Sequence, residues 1–167
     1  RALGQSNDLL AVKLDVTSHA DAEAAVRAAV DRFGRIDVLV NNAGIGMIAR
    51  FDEVDDLEAY ERLMRVNYLS CVHLTHRALP HLKQSRGLVA VVASLAGLTG
   101  VPTRTAYAAS KHAVIGFFDS LRVELMRRLG VQVSAAEFEA LWCCHFTVNE
   151  AMVREVEAQV GRRRLVL

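Results

Sequence analysis

Ile36-Asp37-Val38-Leu39-Val40-Asn41-Asn42-Ala43-Gly44 is a short, mostly apolar run that ends abruptly on two amides and two small residues. Apolar side chains on consecutive positions leave neither face of a strand for water, so the run predicts a strand covered on both sides, as in a parallel sheet. Just upstream, Ala22, Val26, Ala29, Val30 and Phe33 draw one apolar stripe at helical spacing, Gly34 supplies a stop, and Ser18 with Asp21 reads as a capping box. Before that helix, residues 9–14 are largely apolar and end at Asp15, which predicts another strand. Downstream, a helical pattern covers residues 57–83 with Pro80 near its end. Residues 88–93 then predict a strand, 97–102 a loop, 106–129 a second long helix and 131–134 a further strand. Strand and helix alternate without a hairpin signal, so the expected class is α/β, a doubly wound parallel sheet with helices on both faces.

The bulk properties set limits on function. Of 167 residues, 52% are hydrophobic and 23% charged, a composition for a packed domain and not for a disordered chain. Lys and Arg number 20 against 19 Asp and Glu, so no net field draws the molecule to nucleic acid or to an acidic membrane. No apolar run reaches the roughly 18 residues of a membrane span. Cys71, Cys143 and Cys144 lack the spacing of a disulfide framework, and a cytoplasmic setting is expected. Cys143-Cys144-His145 lacks the separation of a zinc knuckle, so no metal site is expected, and Arg162-Arg163-Arg164 reads as a solvated face. The chain reads as a single domain over 1–167 that opens inside a helix-like phrase, an incomplete one.

Chemistry concentrates in four places. In Tyr107-Ala108-Ala109-Ser110-Lys111 a spacing of four puts phenol and ammonium on one helix face, and an adjacent cation favours phenolate, the form that exchanges a proton with an alcohol or ketone. Any amphipathic helix can carry the same pair for packing and solvation alone. Ser94 follows the strand 88–93 at the carboxyl edge of the sheet, where open α/β folds place ligands, although a serine there also caps turns. Asn67 is a poor residue for a helix interior, explained either by a helix distortion or bound water or by a side chain in solvent. Asn41 to Gly44 can be a tight turn, or a place where small residues let a ligand approach the backbone.

Taken together and in this order, Asn41-Asn42-Ala43-Gly44, Arg65-Val66-Asn67, Ser94 and Tyr107-x-x-x-Lys111 resemble the classical short-chain dehydrogenase/reductase family over roughly residues 9–134. The resemblance implies a Rossmann-like fold and a nicotinamide cofactor, NAD or NADP. It implies Tyr107 as acid/base, Ser94 polarising the substrate carbonyl, and Lys111 holding the nicotinamide ribose. Asn67 would anchor a relay water. On the cofactor side it implies Asn41, Ala43 and Gly44 at the turn, with Asp15 and Val16 near the adenine. The implied reaction is hydride transfer to or from a secondary alcohol or ketone, with the stretches 95–104 and 117–120 resembling members that act on hydrophobic, hydroxysteroid-type substrates. A homodimer or homotetramer is implied too. Extra apolar residues on the long helices, Leu69, Val72, Leu74, Phe117, Phe118 and Leu121, predict faces for a second copy.

The sequence departs from that family in two ways. Its opening strand and glycine-rich pyrophosphate turn have no counterpart here, so NAD and NADP cannot be distinguished. Either those parts lie outside this sequence, the reading adopted, or the molecule is a non-catalytic binding or regulatory relative. Secondly, the strand near residue 134 runs into a helical phrase with no intervening Pro or Gly turn, which predicts a missing segment near residues 134–137, the substrate lid.

Overall fold

The computed structural model describes residues 9–129, 132–136 and 165–166. Its strands are β1 (Val38–Asn41), β2 (Leu88–Val92), β3 (Gln132–Ala136) and β4 (Leu165–Val166); its α-helices are α1 (His19–Phe33), α2 (Glu58–Met64), α3 (Ser70–Ser85) and α4 (Thr105–Leu129). All three strand pairings are parallel, in the order β3-β2-β1-β4. Val38 lies beside Leu88 and Asn41 beside Val91, and this register decides which residues share a face. Leu39, Val89 and Val91 form one face and meet Val26 of α1, Cys71, Ala78 and Leu82 of α3, and Val114 and Phe118 of α4 in the main core. Val38, Val40, Leu88, Ala90 and Val92 form the opposite face, which is buried as well. Consecutive apolar residues thus occupy a strand dry on both sides, as the sequence predicts.

The expected capping box opens α1: the Ser18 hydroxyl accepts from the Asp21 amide at 3.2 Å and donates to the Asp21 carboxylate at 3.0 Å. Gly34 ends the helix by donating its N–H to the Val30 carbonyl at 2.7 Å. The predicted helix over 57–83 is three pieces in one line. Between α2 and α3, Arg65–Leu69 forms a π-helical turn closed by the Ser70 N–H on the Arg65 carbonyl, and Pro80 is accommodated inside α3. The oddity of Asn67 in a helix is thereby explained, since it sits in that turn and is 1% exposed.

One expectation fails. Residues 9–14 form no strand, and Leu9, Leu10 and Val12 are 42%, 39% and 42% exposed. A strand needs a partner for its backbone groups, and the edge of β1 away from β2 is paired with β4 at Val38 and Leu39. Around Asp15 the polar groups are met locally instead: its N–H donates to the Asp21 carboxylate, and its own carboxylate accepts from the Thr17 amide and hydroxyl, each at 2.8 Å.

Of the long-helix residues expected to face a second copy, Phe118 is in the core and Leu74, Phe117 and Leu121 pack against it, leaving Val72 half-buried and Leu69 37% exposed. β3 continues unbroken through Ala135 and Ala136 opposite Val91 and Val92, so the rest of the segment expected to be missing lies outside the described residues. Cys143-Cys144-His145 and the Arg162 to Arg164 run lie outside them too. No described helix is long and apolar enough to cross a membrane.

Candidate active site

The site forms where β1 and β2 end and α4 begins. At the exit of β1, Asn41 is buried and donates its side-chain amide to the Thr75 hydroxyl of α3 at 3.0 Å, which fastens the turn to the helix. Ala43 is exposed and Gly44 half-buried. A β-carbon on Gly44 would stand 3.4 Å from Asn67 Oδ1 and 3.9 Å from Lys111 Nζ, so this small residue brings the turn, the π-helical turn and α4 together.

Asn67 holds that junction. Its Oδ1 accepts the Ile45 N–H at 2.8 Å, while its Nδ2 donates to the Ile45 carbonyl at 2.9 Å and to the Ser110 hydroxyl at 2.9 Å. Both amide hydrogens are therefore committed, and the side chain acts as a clamp. With both side-chain hydrogens committed, a relay water could only donate to Asn67, and the main-chain carbonyl, one such acceptor, here accepts from the Cys71 thiol at 3.2 Å. Burial pushes the Cys71 thiol up, opposed by a hydrogen bond from Ser70 and the charge of Lys111.

At the exit of β2, Ser94 is half-buried and caps a single 3-10 turn, Leu95–Gly97, accepting the Ala96 N–H at 3.2 Å. The capping role and the proposed chemical role are compatible, because a hydroxyl that accepts one bond still has its own hydrogen to donate. Gly97 lets this turn lie on α4: a β-carbon there would come within 2.8 Å of the Lys111 carbonyl and 2.5 Å of Ile115 Cδ1. Any side chain at 97 would push the Ser94 segment off the helix.

On α4, Tyr107 is 8% exposed, and its hydroxyl has no hydrogen-bond partner among the described residues. Its ring packs with Leu63, Ala96, Ala106 and Ala108, with Ile45, Met47, Tyr60 and Val101 at the margin. Two cations face the ring, Lys111 Nζ at 5.8 Å and the Arg104 guanidinium at 5.9 Å from its centroid. Lys111 is 2% exposed and donates to the Val92 carbonyl at 2.8 Å, the only acceptor the described residues give it. Burial pushes its ammonium below the usual lysine range, with Cys71 opposing weakly. An ammonium with three donors, one protein acceptor and almost no water is incompletely satisfied, which marks a place for polar ligand atoms.

The structure therefore brings Asn67, Gly44, Tyr107 and Lys111 together, joins Ser94 to them through the 95–97 turn, and ties Asn41 in through Thr75. Asp15 and Val16 lie in the turn that leads into α1, and hydrogen bonds from Thr17 hold the Asp15 carboxyl below its ordinary pKa. Ser110, Thr75, Ile45 and Gly97 were not singled out from the sequence. Only the loop position of Gly97 hinted at a role; the others act through partners 22 to 43 residues away.

Known proteins resemble this chain in sequence and in fold. A family model described as short chain dehydrogenase matches residues 1–140. The 11-beta-hydroxysteroid dehydrogenase-like 4A of Arabidopsis thaliana is 41% identical over 133 residues, which are 80% of this chain and 44% of that protein. Human dehydrogenase/reductase SDR family member 7 is 40% identical over 131 residues, covering 78% of this chain and 38% of its own. The chain thus spans less than half the length of these relatives. A short-chain dehydrogenase from Streptomyces avermitilis superposes with a TM-score of 0.68 at 26% identity, over 75% of this chain and 45% of the other. An alcohol dehydrogenase from the archaeon Thermococcus sibiricus, solved with 5-hydroxy-NADP, shares the fold at a TM-score of 0.76 and 21% identity, over 92% and 68% of the two chains.

Proposed function

The chain belongs to the short-chain dehydrogenase family, and from that premise we infer that it acts as an NAD- or NADP-dependent oxidoreductase on a secondary alcohol or ketone. The observation that carries this reading is the buried, under-satisfied Lys111 ammonium beside both the Tyr107 ring and the bare backbone at Gly44. These residues fit the nicotinamide-ribose half of such a cofactor: Lys111 has donors left for ribose hydroxyls, and Gly44 presents no side chain to block the approach. The bound nicotinamide would supply or accept the hydride.

Tyr107 moves the proton at the substrate oxygen, its hydroxyl having no hydrogen-bond partner among the described residues. Ser94 keeps its hydrogen for the same oxygen while its lone pair caps the turn. Asn67 holds the Ile45 backbone against α4, and its carbonyl is the position from which a relay water would carry the proton away. Asn41, Ala43 and Gly44 would line the cofactor, with Asp15 and Val16 toward its adenine.

Apolar, hydroxysteroid-like substrates are the class we favour. Leu95 and Leu98, which follow Ser94, are 45% and 52% exposed, and Ile48, beyond the β1 turn, is 60% exposed. The names of the relatives point the same way. The same reading carries a cytoplasmic setting and a homodimer or homotetramer, for which the exposed Leu69 and Val123 offer contact surface. The test is a panel of hydrophobic ketones and secondary alcohols, steroids included, assayed on the full-length protein with both reduced and both oxidised cofactors. Turnover with at least one cofactor is expected. No turnover together with no cofactor binding would leave the non-catalytic reading in its place.

A further inference from the structure

Between Tyr107 and Lys111, α4 carries Ser110, which is 0% exposed. Its hydroxyl donates to the Tyr107 carbonyl at 2.7 Å and accepts from Asn67 Nδ2 at 2.9 Å. Because the hydroxyl hydrogen is committed to Tyr107, what Ser110 presents to Asn67 is a lone pair, and only the nitrogen side of the carboxamide can face it. Turned over, Asn67 would set its oxygen against that lone pair and its amide against the Ile45 N–H. Ser110 therefore adds a third tie, from α4, to the orientation in which Asn67 accepts from the Ile45 N–H and donates to the Ile45 carbonyl.

We propose that Ser110 is a positioning residue for cofactor binding: through Asn67 it locks the Gly44-Ile45 turn against α4, so that the cofactor-facing backbone and the Lys111 ammonium keep a fixed separation. Its consequence for the cofactor rests on the oxidoreductase reading; the mechanical link from Ser110 to Ile45 does not.

The test uses the full-length protein with Ser110→Ala, and Ser85→Ala as a control. Ser85→Ala removes a different hydroxyl tie, to the Ile36 carbonyl at 2.7 Å, at the far end of α3. Ser110→Ala orphans a buried amide hydrogen, so the Ile45 amide should exchange with solvent about fivefold to a hundredfold faster. In the control that amide should be unchanged. The KM for NAD or NADP should rise in Ser110→Ala by more than kcat falls. Ser110→Cys, which keeps a weak donor and acceptor, should recover part of both effects, and it carries the comparison alone if the alanine variant does not fold. Wild-type exchange at Ile45 in the folded serine variants, or equal acceleration in Ser85→Ala, would overturn the proposal. If the wild type turns over no substrate, the oxidoreductase reading fails while the Ile45 measurement still decides the role of Ser110.

Discussion

The two sides of the site are built on opposite terms. Toward the β1 exit, side-chain amides and hydroxyls are matched to one another: Asn41 with Thr75, Asn67 with Ile45 and Ser110, Ser110 with Tyr107. Toward the β2 exit, Ser94 is half-buried, the Tyr107 hydroxyl is unmatched among the described residues, and Leu95 and Leu98 are exposed. Tyr107 and Lys111 belong to both, and Lys111 most fully, buried like the first side and under-satisfied like the second. The difference teaches that the first side serves order and the second serves chemistry. Variants should sort accordingly, by whether they change stability, turnover or both.

The sharpest separation is expected from Tyr107→Phe. Losing the transferable proton should lower turnover by about 10²-fold or more. Stability in a denaturant titration should stay within about 0.5 kcal/mol, because no described hydrogen bond is lost. A clear loss of stability would mean that the open side is not open. Asn67→Ala should do the reverse on stability, lowering it by about 2–4 kcal/mol, since it strands the Ile45 N–H and carbonyl in a poorly hydrated place. A fall below 1 kcal/mol on this scale would show that water replaces the clamp.

Lys111→Met tests the residue most fully shared by both sides, and its signature lies in pH. Because burial depresses the folded-state value of Lys111 below its reference of 10.5, the unfolded chain holds this proton over a range where the folded chain has released it. Stability from this group is therefore lowest below the folded value, rises with pH between that value and 10.5, and is then level. Urea titrations from neutral to alkaline pH should show a rising increment in the wild type that Lys111→Met lacks, while turnover is lost and cofactor affinity falls. Equal slopes in the two proteins would mean the ammonium is not penalised by its burial. The mildest effect is expected from Leu98→Ser at the open rim. KM for an apolar substrate should rise about two- to fivefold, the worth of part of a leucine side chain, with stability within about 0.5 kcal/mol of the wild type.

The same contrast governs how much could be read from the sequence. β1 and β2 were legible because consecutive apolar residues have few alternatives, and the Tyr107–Lys111 spacing was legible because helical geometry alone brings them to one face. Residues 9–14 carry a comparable apolar pattern, yet they form no strand, since pairing depends on a neighbour that the run itself does not encode. Ser110 was invisible for a related reason. A serine inside a helix has no local signature, and its meaning comes from Asn67, 43 residues earlier. Asn67 announced itself only as a misfit, a polar residue where a helix former was expected, and the π-helical turn that resolves the misfit follows from no spacing rule.

That turn also acts as a phase shift in the long helical rod. Closing on a fifth residue where an α-helix closes on a fourth, Arg65–Leu69 holds one residue more than the helices it joins. Removing a single residue there would restore a plain α-helix and swing α2 by about 100° relative to α3. Leu63 would leave the cluster beneath Tyr107, while Ala78 and Leu82 kept their places under the sheet. The rod thus serves two surfaces set at different angles, and the extra residue is the offset that lets one continuous helix fit both.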